Sequence, residues 1–224
     1  MKYVNKDILK VLDSDPGAGV SVLDRDGKII YMNEVLVRLH FSEALKPADI
    51  EGKTFHEIGF SKHWADERVE LLRQMEKTGE EYIIRTIWQG CQQFSWVRSM
   101  NSSHQGHDFR ALVVTRRIGS GEEADYLLKS ETKVVKSEVT GLGKLCVLTK
   151  RELEVLALIG QGKTAKEIAG CLHRSTKTIE NHRISIGNKL NKTNKVELAL
   201  IAREAGLTAD DSTRIRICTA QKCS

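Results

Sequence analysis

The sequence predicts an α+β chain in two halves, a strand-rich N-terminal half with five strands and an all-α C-terminal half with four short helices. Three observations carry this. Between about 17 and 118, apolar residues recur with a period of two in segments broken by Gly and Asp turns. From Leu148 to Leu207, helix-start signals repeat and the apolar period lengthens to that of a helix. Charge divides the same way: residues 148–206 hold eleven Lys/Arg against six Asp/Glu, a net of +5, whereas residues 1–119 hold seventeen of each. A chain of 224 residues suits two domains.

In order, Val4, Ile8 and Leu12 sit at helical spacing and predict a short cap helix within residues 1–14. GVSVLDRDGKIIYMN reads as two strands joined at Asp26-Gly27, a strong short hairpin signal. Short helical pieces follow around 34–45 and 48–58, then a helix from Trp64 to Lys77 closed by Gly79. Strands are predicted over 81–88, 93–100 and 109–118. Two strands, several helices and three strands is not the βαβ alternation of a doubly wound domain.

In the C-terminal half, Thr149 and Glu152 form a capping box, with Leu148 and Leu153 placed as a hydrophobic staple. Thr164 and Glu167 repeat the box, Asn194 and Glu197 vary it, and Gly162 and Gly206 suit helix ends. Helices are predicted over roughly 150–161, 165–172, 176–191 and 195–205. The second and third are separated only by residues 173–175, with Ser175 as N-cap. So tight a joint suggests a helix-turn-helix, whose second helix enters the major groove. On that helix Ile179, Ile186 and Leu190 face a core, and Lys177, Asn181, Ile184, Ser185 and Asn188 lie opposite. Asn pairs bidentately with adenine, Ser takes either role, and Ile184 suits a thymine methyl. Polar helix faces of this kind are usually just solvated. The local basic excess argues against that here, because it is the footprint of a phosphate-binding surface.

Through LT-x-RE-x-EVL, G-x-T-x-KEIA, S-x-KTIE-x-H and KL, residues 148–207 resemble the LuxR-type (GerE-like) DNA-binding domain. The resemblance implies that Glu152, Leu156 and Gly162 are structural, and that Lys177, Thr178, Asn181, His182 and Ser185 lie at double-stranded DNA. Related domains dimerise through their last helix, which makes Val196, Leu200 and Arg203 the candidates for a homodimer contact. VELALIA there is apolar nearly all round, more than one buried face requires. Backbone contacts are expected from Thr164, Lys166, Ser175, Lys189 and Lys192. Sigma-factor region 4 shares much of this pattern and would bring RNA polymerase as a partner. A sigma factor also needs a helical promoter-melting region upstream, and the strand-rich half supplies none.

Residues 15–119, through DRDGKIIYMNE and the order of their elements, resemble a PAS domain. That resemblance implies a five-stranded antiparallel sheet with helices, acting as a sensor or a dimerisation module. The expected chain is therefore α+β, a PAS-like domain followed by an all-α four-helix LuxR-type domain. Its ligand is not named by the sequence. The flavin-photoadduct run N-C-R-F-L is missing, and Cys91 falls between two strands. His56 and His63 are positions from which haem ligation would come, although histidines there are more often plain core or surface residues. Phe55, Phe60, Trp88, Phe94 and Trp96 suit either a pocket or a core.

Residues 120–147 read as a helical connector, with Ala124, Leu128, Val135 and Leu142 at heptad-like spacing and Gly141 and Gly143 as a hinge. The tail, 208–224, reads as polar and disordered. Cys171 is expected in a core, and Cys218 and Cys223 as exposed thiols. No signal peptide, membrane span, zinc spacing, phosphate loop or nucleophile elbow is present, so the reading is a cytoplasmic non-enzyme. Asp13, Asp15, Asp24 and Asp26 read as turn and cap residues rather than phosphoacceptors. The expected function is a transcription regulator whose PAS domain alters DNA binding. A PAS interaction module working inside a transcription complex is the alternative.

Overall fold

The structure, a computed structural model, describes residues 6–41, 45–100, 109–121, 127, 131–192 and 194–217. Its elements are α1 (Lys6–Asp13), β1 (Gly19–Leu23), β2 (Ile29–Met32), α2 (Glu34–His40), α3 (Pro47–Ile50), α4 (Lys62–Thr78), β3 (Tyr82–Trp88), β4 (Cys91–Ser99), β5 (Ala111–Arg117), β6 (Lys133–Gly141), α5 (Lys150–Gly160), α6 (Ala165–Cys171), α7 (Thr176–Lys189), α8 (Lys195–Ala205) and β7 (Ile215–Ile217). Two 3₁₀ turns, Gly143–Val147 and Ala209–Thr213, precede α5 and β7. The strand order is β2-β1-β5-β4-β3-β6-β7. The chain forms two compact units, one of residues 1–85, 94–117 and 131–136, the other of 86–93, 118–130 and 137–224.

In the first unit β1 pairs antiparallel with both β2 and β5, setting Ser21 opposite Met32 and Val113. The Asp26-Gly27 turn forms as its sequence requires. Gly27 takes a φ of 75°, and the Asp24 carboxylate accepts from the Asp26 and Lys28 amides at 3.0 and 2.9 Å. Arg73 of α4 donates to Asp26 at 2.8 Å and ties the turn to the helix. Asn33 fixes the start of α2: its Oδ1 accepts from the Leu36 and Val20 amides, each at 2.9 Å, and its Nδ2 donates to the Ala18 carbonyl at 3.0 Å. Asp13, at the end of α1, takes the Tyr31 hydroxyl at 2.5 Å, so it is a structural acceptor. Asp15 pairs with Arg116.

The second unit is built round a shared apolar cluster. Ile87, Leu142, Leu145 and Leu148 pack with Leu153, Leu156, Ile168, Ile179, Ile186 and Leu198. The tip of the β3–β4 hairpin, Gln89-Gly90, takes φ values of 51° and 76°, the sign pattern of a tight primed turn. The Gly90 amide donates to the Gly141 carbonyl at 2.9 Å. The segment before β6 also packs here: the Ser120 amide donates to the Arg203 carbonyl at 2.8 Å.

Several expectations are corrected. The five strands expected within residues 15–119 are β1–β5, but β6 and β7, outside that range, extend the described sheet to seven. Residues 133–141 of the expected helical connector form β6, because Ser137 and Val139 alternate inward with period two and override the heptad-like spacing of Val135 and Leu142. Ala124 and Leu128 lie outside the described residues. Gly141 and Gly143 are packing positions rather than a hinge; a Cβ on Gly143 would stand 2.7 Å from the Gln89 carbonyl carbon. The tail is ordered over 209–217, where Asp211 caps a 3₁₀ turn and β7 pairs parallel with β6. Cys218 and Cys223 lie outside the described residues. Cys171 is exposed, since short α6 buries only Ile168 and Ala169. Cys91 opens β4 instead of standing between strands. Among the described residues, no helix is long and apolar enough to cross a membrane.

Candidate nucleic-acid interface

The interface is built by α5, α6 and α7. The Thr149 box starts α5, with the hydroxyl accepting from the Glu152 amide at 3.2 Å and the carboxylate accepting from the Thr149 amide at 2.7 Å. The Thr164–Glu167 box starts α6 with bonds of 3.3 and 2.7 Å. The turn after α6 is closed by His173 at φ 50° and by the Arg174 amide donating to the Ala169 carbonyl at 2.9 Å. Arg151 reaches across from α5 to the Leu172 carbonyl at 2.7 Å and covers an orphan acceptor of α6. Ser175 then caps α7 by accepting from the Thr178 amide at 3.1 Å. The Asn194 side chain caps α8 through the Val196 amide at 2.9 Å, while Glu197 turns to Lys192 at 3.0 Å instead of completing a box.

α7 buries Ile179 and Ile186 completely, and Gly187 with them. A side chain at 187 would collide with the Lys192 carbonyl at 2.5 Å, so the close turn after α7 requires glycine. Turned away from that core are Lys177, Asn181, Ile184 and Asn188, all exposed, at spacings of four, three and four residues. They form one continuous stripe. Ile184 is 62% exposed in its centre. Glu180 is held by Arg183 at 3.2 Å, which offsets its repulsion of an approaching anion. Thr178 and His182 are half-buried at the edge of the stripe, and Thr164, Lys166 and Ser175 are exposed around the helix starts.

Two of the expected contact residues have another task. Ser185 donates to Glu152 Oε1 at 2.7 Å, and Lys189 donates to Glu152 Oε2 at 2.6 Å. Burial alone would raise the Glu152 carboxyl, but the bonds from Lys189, Ser185 and Thr149 outweigh it and hold the group at about 2. Glu152 is thus a buried anion that pins α7 to α5. Its structural role is legible from the capping box. Its partners 33 and 37 residues away leave no local signal. Arg151 is missed for the same reason.

On α8, Val196 and Leu200 are 64% and 54% exposed, and the Arg203 side chain is exposed while its carbonyl accepts from Ser120. In the first unit, a cavity of about 50 Å³ is lined by Phe55 and Trp64 together with His40 and Arg68. Phe60 stacks on Trp64 with centroids 4.0 Å apart. Phe94 and Trp88 are buried core residues, and Trp96 lies beside Arg98 in a shallow depression elsewhere. Neither His56 nor His63 lines the cavity: His56 pairs with Asp66 at 2.8 Å and both are exposed.

The family model described as bacterial regulatory proteins, luxR family, matches residues 146–202. These residues form a luxR-family helix-turn-helix domain. An uncharacterized response regulatory protein of Escherichia coli K12, YgeK, is 48% identical over 60 residues, covering 27% of this chain and 41% of that protein. The oxygen regulatory protein NreC of Staphylococcus epidermidis RP62A is 27% identical over 146 residues, 62% of this chain and 63% of the relative. The chain therefore spans less than two thirds of the length of either relative. Among solved structures, the Vibrio cholerae VqmA–ligand–DNA complex aligns over 92% of this chain and 90% of its own, with 20% identity and a TM-score of 0.47.

Proposed function

We propose that this chain, whose residues 146–202 carry a luxR-family helix-turn-helix, is a cytoplasmic transcription regulator that reads double-stranded DNA with α7. The observation that carries the reading is the exposed Lys177–Asn181–Ile184–Asn188 stripe set opposite a fully buried Ile179–Ile186 face. In this reading Asn181 and Asn188 pair with adenine edges and Ile184 meets a thymine methyl. Thr164, Lys166, Ser175, Thr178 and His182 ring the stripe and, with Lys177 at its end, take phosphate oxygens. Ser185 and Lys189 set the height and angle of α7 through Glu152, and reach DNA only from that fixed position.

Two copies are needed for the paired half-sites that helix-turn-helix dimers read about one helical turn apart. The exposed apolar pair Val196 and Leu200, with Arg203 beside it, supports α8 as the dimer contact. The N-terminal unit acts as the sensor, and its signal alters how the two reading helices are presented. Selection of duplexes from a random pool by the full chain tests this. Enrichment of a motif with two half-sites about a turn apart is expected. Retention of every duplex alike, falling with salt in the manner of a bare polycation, would contradict it.

A further inference from the structure

The cavity of the first unit has a chemistry of its own. Its walls are largely apolar, with Phe55 and Trp64 on one side, yet the Arg68 side chain lines it while only 10% exposed. The guanidinium carbon lies 4.9 Å from the Trp64 ring centroid, so the charge rests against an aromatic face. Glu67, the next residue on α4, accepts from Arg68 Nη1 at 2.6 Å. A buried cation is costly, and an apolar side chain of equal volume would serve a plain core better. A second feature lies on the strand side. Ser95 of β4 and Thr115 of β5 both line the cavity, with their hydroxyls 2.8 Å apart. One proton serves that mutual bond, which leaves the pair a second O–H to offer to whatever occupies the space.

Size narrows the occupant. A water-sized group needs about 10–15 Å³ of such volume, so about 50 Å³ holds roughly four. Haem and flavin are far too large. We propose that the cavity is the receptor site for a small monocarboxylate of about two to four carbons, with Arg68 reading the carboxylate, Ser95–Thr115 donating to it, and Trp64 and Phe55 covering the short apolar body. A guanidinium is a planar five-donor fork suited to a carboxylate. The incoming acid either shares Arg68 with Glu67 or displaces that carboxylate, which is only 16% exposed, towards solvent. Such an exchange of anions on one arginine gives α4 two states, as a sensor requires.

This inference rests on the sensor reading of the N-terminal unit and is tested on the full chain. Isothermal titration uses acetate, propionate and butyrate at matched ionic strength, with propionamide as the neutral isostere. Propionate or butyrate is expected to bind at least about 30-fold tighter than propionamide, and Arg68→Met to lose that same margin. Leu71→Phe, which fills the cavity without touching the charge, is expected to abolish binding even if Arg68→Met folds poorly. Equal binding of acid and amide overturns the inference and leaves a sensor of another ligand class. No binding of any of the three acids also overturns it. An acid that binds as predicted but leaves DNA affinity unchanged upholds the site and refutes the sensor reading instead.

Discussion

Replacing Glu152 by Gln is the sharpest perturbation of the DNA-binding unit. The carboxylate is almost wholly buried and accepts from the Thr149 amide at 2.7 Å, Ser185 at 2.7 Å and Lys189 at 2.6 Å. It titrates at about 2 in the folded protein against an ordinary value of 4.5. That difference corresponds to roughly 3 kcal/mol of stability at neutral pH. The sign is fixed, because a depressed carboxylate stabilises the fold fully above pH 4.5 and loses that contribution as pH falls towards 2. Glutamine keeps the shape but brings an amide donor into a site that already holds three donors, and leaves Lys189 facing a neutral oxygen. Lys189 is itself exposed, so no buried cation is stranded and the loss of the carboxylate sets the scale. In urea unfolding followed by helical circular dichroism, Glu152→Gln should therefore be less stable by about 3 kcal/mol at pH 7. The gap to the wild type should narrow from pH 4.5 downwards and close only as pH reaches about 2. Equal stability at pH 7, or a gap that stays constant through the acid range, would refute the assignment of Glu152 as the anion that pins α7.

Three further outcomes are expected. Gly143→Ala should destabilise the second unit by about 1–3 kcal/mol, since glycine there sits at φ 50° with a Cβ position 2.7 Å from the Gln89 backbone; thermal unfolding measures it. Leu200→Glu, at a position 54% exposed, should turn a dimer into a monomer in sedimentation velocity with less than about 0.5 kcal/mol lost in unfolding. Lys166→Ala should weaken binding to all duplexes alike and flatten the salt slope by about one, read by fluorescence anisotropy over a salt series.

Much of the C-terminal domain is legible because its signals are local. Thr149–Glu152, Thr164–Glu167 and Ser175 each announce a helix within four residues, and the structure uses all three as caps. The Asp26-Gly27 hairpin and the Asn33 helix start are legible for the same reason. β6 was obscured because Val135 and Leu142 fall seven apart, while its β-branched residues, Val134, Val135, Val139 and Thr140, carry the opposite message. Strand pairing decided between them. The Glu152–Ser185–Lys189 cluster and the grouping of residues 86–93 with the helices depend on contacts across long stretches of chain. No pattern within a short window encodes them. Lys189 shows the consequence, since its sequence position suggests phosphate and its ammonium lies on Glu152.

The central claim, that α7 reads base edges through its exposed stripe, is tested most directly by repeating duplex selection with Asn181→Ala. The account predicts that the selected motif loses its preference at one position in each half-site, a loss of about 1–3 kcal/mol per site, with the remaining positions intact. A motif identical to that of the wild type would mean that Asn181 does not face DNA and that the reading surface lies elsewhere.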